Sequence, residues 1–198
     1  DYLVKSQGLP IPTPFNNIVG NFNPKMTLGL SNSFNYKRFV ASVLVDGRIG
    51  GTMVSGTQGN MAFDGTLAIT EKHRDGGWIL DAVVEETGEK NTTPIDAETF
   101  WQTVSQERTS WGGVFAYNTT NFRVREISIG YNIPVEGNKF IKNARISATA
   151  RNLFFLYRGK ALVDIPGIER KLPFDPDVNL SAANFQGLEY GNLPSTRN

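Results

Sequence analysis

The fold class the chain predicts is all-β: an antiparallel meander of about four long strands forming part of a transmembrane barrel, with long extracellular loops. Three observations lead there. Four segments alternate apolar and polar residues with period two, the side-chain period of a strand with two unlike faces. The connections between them run tight, long, tight, long, as in a barrel with short periplasmic turns and long outer loops. The longest apolar run, Phe39 to Val45, is far shorter than the ~20 residues of a membrane helix, whereas a barrel strand crosses in about 9–11.

The first segment, 25–36, reads KMTLGLSNSFNY. Met26, Leu28, Leu30, Phe34 and Tyr36 share a face, with Asn32 its one polar member; Thr27, Gly29, Ser31, Ser33 and Asn35 lie opposite. The second, 39–49, is FVASVLVDGRI. It puts Phe39, Ala41, Val43, Val45 and Ile49 on one side and Ser42, Asp46 and Arg48 on the other. Only Lys37 and Arg38 intervene, so a two-residue hairpin is expected, pairing Tyr36 with Phe39, Phe34 with Ala41, Ser33 with Ser42 and Leu30 with Val45. Lys-Arg is not a favoured turn pair, since neither residue adopts a positive φ cheaply.

The third segment, 121–134, is NFRVREISIGYNIP. Phe122 and Val124 begin an apolar face that Ile127, Ile129, Tyr131 and Ile133 continue after a slip of one residue. A β-bulge at Arg125-Glu126, near the extracellular end, would turn both side chains to the polar side. The fourth, 143–157, opposes Ala144, Ile146, Ala148 and Ala150 to Arg145, Ser147, Thr149 and Arg151. A similar slip at Arg151-Asn152 would return Leu153, Phe155 and Tyr157 to the apolar side. Residues 50–120 and 158–198 are left as long loops. On periodicity alone, a soluble sheet with one face on a core gives the same alternation; the loop pattern favours the membrane.

Composition excludes several functions. Lys plus Arg number 20 against 19 Asp plus Glu, so a net charge of +1 offers no field for nucleic acid. There is no cysteine, hence no disulfide, thiolate metal site or cysteine nucleophile. The single histidine, His73, lies in the charged stretch EKHRDGG and has no second imidazole to work with. No phosphate loop, nucleophile elbow or HExxH is present, and the chain is expected to be no enzyme, with no catalytic residue and no cofactor.

GNFNPKMTLGLSNSFNYKRF (20–39), LVDGRIGG (44–51), FRVREISIGYNIP (122–134), IKNARISATARNLFFLY (141–157), FDPDVN (174–179) and GLEYGNLPSTR (187–197) together resemble the C-terminal barrel of SusC/RagA-type TonB-dependent transporters. Their order and spacing are similar to that family over most of the chain; 52–117 is matched more loosely. The resemblance implies a 22-stranded barrel in the bacterial outer membrane, of the Bacteroidetes group, importing oligosaccharides or peptides. Its partners would be a SusD-like surface lipoprotein acting as a lid, the TonB complex, membrane lipid and the remainder of the same barrel. That family's N-terminal plug and TonB-contacting segment, and its last strand with a terminal aromatic, have no counterpart in these 198 residues. The resemblance therefore implies a segment of a transporter, all of 1–198 belonging to the barrel's C-terminal part.

The candidate residues follow from the faces. Ser31, Ser33, Asp46, Arg48, Arg125, Glu126, Arg145 and Arg151 would line the lumen. In the long loops Trp78, Trp101, Trp111 and Tyr117 are candidate contacts for a sugar or a protein, because aromatic faces serve both, although they equally suit packing of the loop on itself. Asp175, Asp177 and Asn179 have the spacing that opens a calcium loop, but Leu180 stands where that loop needs Gly and Gln186 where it needs Glu. The alternative to transport is a soluble or surface-attached β-domain that binds glycan or protein through the aromatic loop.

Overall fold

The computed structural model describes residues 3–12, 17–75, 77–106, 112–135, 141, 143–177 and 187–191. In chain order its elements are β1 (Leu3–Val4), β2 (Met26–Tyr36), β3 (Phe39–Ile49), β4 (Thr52–Ser55), α1 (Gly56–Phe63), a 3₁₀ turn (Ala68–Glu71), β5 (Val83–Val84), α2 (Ala97–Ser105), β6 (Ala116–Asn118), β7 (Asn121–Ile133), β8 (Ala144–Arg158) and β9 (Leu188–Glu189). Strand dominates, and the main body is an antiparallel sheet of four strands in the order β2-β3-β7-β8. The four alternating segments of the sequence are these four strands.

The hairpin has the expected register, with Tyr36 opposite Phe39, Phe34 opposite Ala41, Ser33 opposite Ser42 and Leu30 opposite Val45. Its unfavourable turn closes because Lys37 takes φ 54°. That conformation costs about 1–2 kcal/mol for a residue with a Cβ, and the long ladder behind it offsets the strain. At the other end of β3 the chain turns at Gly50 and Gly51, both at positive φ, where glycine is free of that cost.

The bulge lies where the phase slip put it. Leu44 faces Glu126 and Val45 faces Val124, so Arg125 is the extra residue. On β8 the matching interval runs from Arg151 to Phe154, with Asn152 at φ 51°. Arg151 and Asn152 both serve the polar side: Arg151 Nε donates to Glu126 at 2.9 Å, and Arg125 Nη1 donates to Asn152 Oδ1 at 3.3 Å. The expectation for Phe155 is corrected. Register pairs it with Arg123 on the polar face, where its ring lies 5.6 Å from the Arg123 guanidinium and 4.3 Å from that of Arg158. Phe154 takes the apolar place instead, opposite Val124, and a further register shift between Phe155 and Tyr157 returns Tyr157 to that side. Two flanking guanidiniums hold the ring by cation–π attraction, which hydrophobic alternation does not encode.

The ranges 50–120 and 158–198, expected as long loops, carry secondary structure of their own. Much of both ranges folds into a unit with a core of its own. β4 pairs antiparallel with β6 and parallel with β9, and β1 pairs with β5, so the start, middle and tail of the chain meet there. Its core joins Val4, Trp78, Leu80, Ile95, Phe100, Trp101, Val104, Phe115, Ile165 and Ile168. α2 starts at Asp96, whose side chain accepts from the Thr99 backbone N–H, and α1 starts at Ser55, whose Oγ accepts from Gln58 N–H. This unit stands at the end of the sheet where β3 leaves and β7 enters, opposite the Lys37-Arg38 turn.

Candidate functional site

The eight residues assigned to the polar face share it. On β3 and β7, Ser42 opposite Ser128, Asp46 opposite Arg123 and Arg48 opposite Asn121 define that side. Ser31 and Ser33 join it from β2, and Arg145 and Arg151 from β8. Ser128 accepts from Thr149 Oγ1 at 3.1 Å, and Glu126 pairs with Arg151, so part of the face is a ladder of satisfied cross-strand pairs. Gly130 has no side chain to keep Arg145 off the strand: a Cβ there would lie 2.6 Å from Arg145 Nε.

Charge concentrates at the end of the face nearest the folded unit. Asp46 accepts from Arg123 Nε at 3.1 Å and from Arg125 Nε at 2.8 Å. Arg123 Nη1 donates to both oxygens of Asp175, at 3.2 and 3.0 Å. The Oδ2 of Asp177 accepts from Arg123 Nη2 and from Arg125 Nη2, the latter at 3.0 Å, while its Oδ1 lies 3.4 Å from Arg48 Nη2. Arg48 Nη1 donates to the Pro176 carbonyl at 3.1 Å. Three guanidiniums thus meet three carboxylates, and the D-P-D turn is pinned to the sheet.

Arg123 is the centre of this cluster, with its side chain 4% exposed. Parity along 121–134 puts it on the polar face, but nothing in the residue pattern singles it out. The same contacts engage both aspartates of the weak calcium candidate. Asp175 and Asp177 neutralise arginines, and guanidiniums at these positions repel a cation; Asn179 lies outside the described residues. Among the described residues no group of three or more His, Asp or Glu is placed to hold a metal.

Three of the four aromatic candidates are core. Trp78, Trp101 and Tyr117 are all buried, Trp101 to 2% exposure. Trp78 packs on Phe100 at 4.5 Å and Phe100 on Trp101 at 5.1 Å. Burial pushes the Tyr117 hydroxyl above the ordinary tyrosine range, against the opposing charge of Arg170. Trp111 lies outside the described residues. His73 stacks on Trp78 at 4.6 Å as a cover for the core edge.

Two features had no counterpart in the sequence reading. Glu189, 4% exposed, accepts from Ser55 Oγ and from Thr57 Oγ1, the latter at 2.6 Å, at the start of α1. A hollow of about 470 Å³ lies between the end of α1, the 3₁₀ turn and the start of α2, lined by Asp64, Arg74, Asp96, Glu98 and Trp101 among others. Its polar groups serve the fold: Arg74 bonds Thr70 and Gly65, Asp96 caps α2, and Glu98 accepts from Gln102.

The opposite face of the sheet is apolar and uncovered. β2 is exposed along its whole length, and Leu28, Leu30, Phe34, Phe39, Ile129, Ile133, Ile146, Phe154 and Tyr157 are exposed large hydrophobics. Aromatic rings gather at both ends of this face. Phe39 meets Tyr131 at 4.9 Å near the hairpin, and Phe122 meets Tyr157 at 6.4 Å near the folded unit. Between them lie Ala41, Val43, Val45, Ile127, Ile129, Ala148 and Ala150. Comparison with protein-family models and with curated proteins found no match.

Proposed function

We propose that this chain is wall and extracellular rim of a TonB-driven outer-membrane importer of oligosaccharides or peptides that works with a SusD-like lipoprotein. The observation that carries the membrane part is the uncovered apolar face bounded by aromatic rings. From Phe39 to Gly47, which faces Phe122, the ladder rises through eight residue steps. At ~3.3 Å per residue and a tilt of ~40° that is about 20 Å of depth, close to the apolar band between the aromatic girdles of a barrel. In water such a face would be a large exposed apolar patch of the kind soluble monomers avoid. In lipid it is the required surface.

The other face fits a wet lumen, being Ser, Thr, Asn and paired charges. The folded unit then stands at the extracellular mouth, and the Lys37-Arg38 turn on the periplasmic side. The transport part rests on the resemblance of six sequence segments to the SusC/RagA barrel. The alternative, a soluble domain binding through its aromatic loop, has fewer candidate contacts to rest on, because Trp78, Trp101 and Tyr117 are buried; Trp111 lies outside the described residues. The test is partition and heat-modifiability of the intact protein. A native barrel stays in detergent or lipid and migrates differently on a gel before and after boiling; a water-soluble monomer with no such shift would refute the proposal.

A further inference from the structure

Glu126 and Arg151 pair one to one on the polar face, but Asp177 is held by three arginines at once, which is more than anchoring a turn needs. Asp46 grips Arg123 and Arg125 by their Nε atoms. That grip, which on Arg125 also takes Nη2, leaves both Nη atoms of Arg123 and the Nη2 of Arg125 on the side of the D-P-D turn, while Arg125 Nη1 donates to Asn152. The inner pair, Arg123 with Asp175, is about 5% exposed on each side chain and is a fixed part of the fold, because separating it would leave a charge buried alone. Asp177 differs, with a side chain 37% exposed. One of its oxygens takes an Nη2 from each of Arg123 and Arg125, and the other faces Arg48. A planar carboxylate met by several guanidinium forks is how proteins recognise carboxylate ligands.

Asp46 and Asp175 leave one of the three positive charges unbalanced, which is room for a single carboxylate. We propose that Arg48, Arg123 and Arg125 form a carboxylate-binding site, and that the chain's own Asp177 occupies it as an internal ligand that an acidic solute displaces. Asp177 is the most exposed of the carboxylates in the cluster, so replacing it by an external carboxylate of the same charge disturbs the pairing less than replacing Asp175, whose side chain is 5% exposed. The site lies on the polar face beside the folded unit, where a solute entering from that end would meet it. The proposal does not require the sheet to close into a barrel, so its failure leaves the transport reading untouched.

The test removes the internal ligand in the intact protein and offers replacements. Asp177→Ala leaves a carboxylate-sized gap. Sodium acetate should raise its Tm above that in sodium chloride of equal ionic strength, while the wild type responds to both salts alike. Adding Arg125→Gln should abolish the acetate effect. Asp177→Asn keeps the packing and carries the second arm: it should bind a triglutamate peptide roughly tenfold more tightly than wild type does, because the competitor is gone, and should ignore triglutamine. Equal responses to acetate and chloride in Asp177→Ala, an acetate effect that survives Arg125→Gln, or no gain in triglutamate binding by Asp177→Asn would overturn the proposal.

Discussion

Ile129 and Ser128 are neighbours with opposite surroundings, the first 57% exposed on the apolar face and the second bonded to Thr149 on the polar one. On the proposed barrel reading, Ile129→Arg in the intact protein should cost about 2–4 kcal/mol near the bilayer midplane, and Ser128→Arg little. Equilibrium unfolding in lipid measures both, and equal costs would contradict the face assignment. Ser55 tests the folded unit. Its Oγ caps α1 and donates to the buried Glu189, so Ser55→Ala removes a cap and leaves a carboxylate short of a donor. A loss of about 2 kcal/mol is expected, seen as faster hydrogen exchange along α1. Parity made the polar-face residues legible, because a two-residue period needs only neighbours. The fate of Trp78, Trp101 and Tyr117 was not legible, since an aromatic ring that packs and one that binds look alike in sequence. Nor was the pairing of Arg123 with Asp175, which sequence separates by 52 positions.

Among elements, the bulge in β7 carries the most. Without Arg125 the sequence loses its phase slip together with the bulge, so the residues after it keep their faces. Deleting Arg125 should leave Ile127, Ile129, Tyr131 and Ile133 on the apolar side, whereas deleting Ser128, inside the regular ladder, should send Ile129, Tyr131 and Ile133 to the polar side and abolish assembly. A folding assay by heat-modifiable migration distinguishes the two, and assembly of the Ser128 deletion, or loss of assembly in the Arg125 deletion alone, would contradict this register. α2 offers a test in pH. Hydrogen bonds from the Thr99 backbone and then its side chain hold the Asp96 carboxyl below the ordinary aspartate range. The cap's contribution is therefore complete above that range and lost as pH falls through the lowered value. Exchange of the first α2 amides should stay slow down to the ordinary range and quicken below it, and Asp96→Ala should remove this dependence. The strands and their hairpin register were readable because each is long and strictly alternating. α1 was not, because GTQGNMAF carries two glycines and forms a helix through its cap and its packing on α2 rather than by propensity. α2 had a legible start in Asp96-Ala-Glu-Thr but lay inside a stretch taken as loop.

For the whole molecule the open question is what lies beyond β2 and β8, the two edges of the sheet. Four strands do not close a barrel, for which about eight is the practical minimum, and an unpaired edge is not tolerated in lipid. The transport reading therefore requires both edges to pair with further strands of the same barrel, which cysteine pairs placed across each edge would trap. The most direct measurement uses the absence of cysteine from this chain, so that each introduced thiol is unique within it. Fluorescent labels at positions 122 to 130 of the intact protein, reconstituted in bilayers containing a lipid-borne quencher, report which side chains touch lipid. Quenching is expected at 122, 124, 127 and 129 and not at 123, 126 or 128, an alternation that changes phase across Arg125. Uniform access to water, or an alternation that runs through Arg125 without a change of phase, would contradict a lipid-facing wall built on this register.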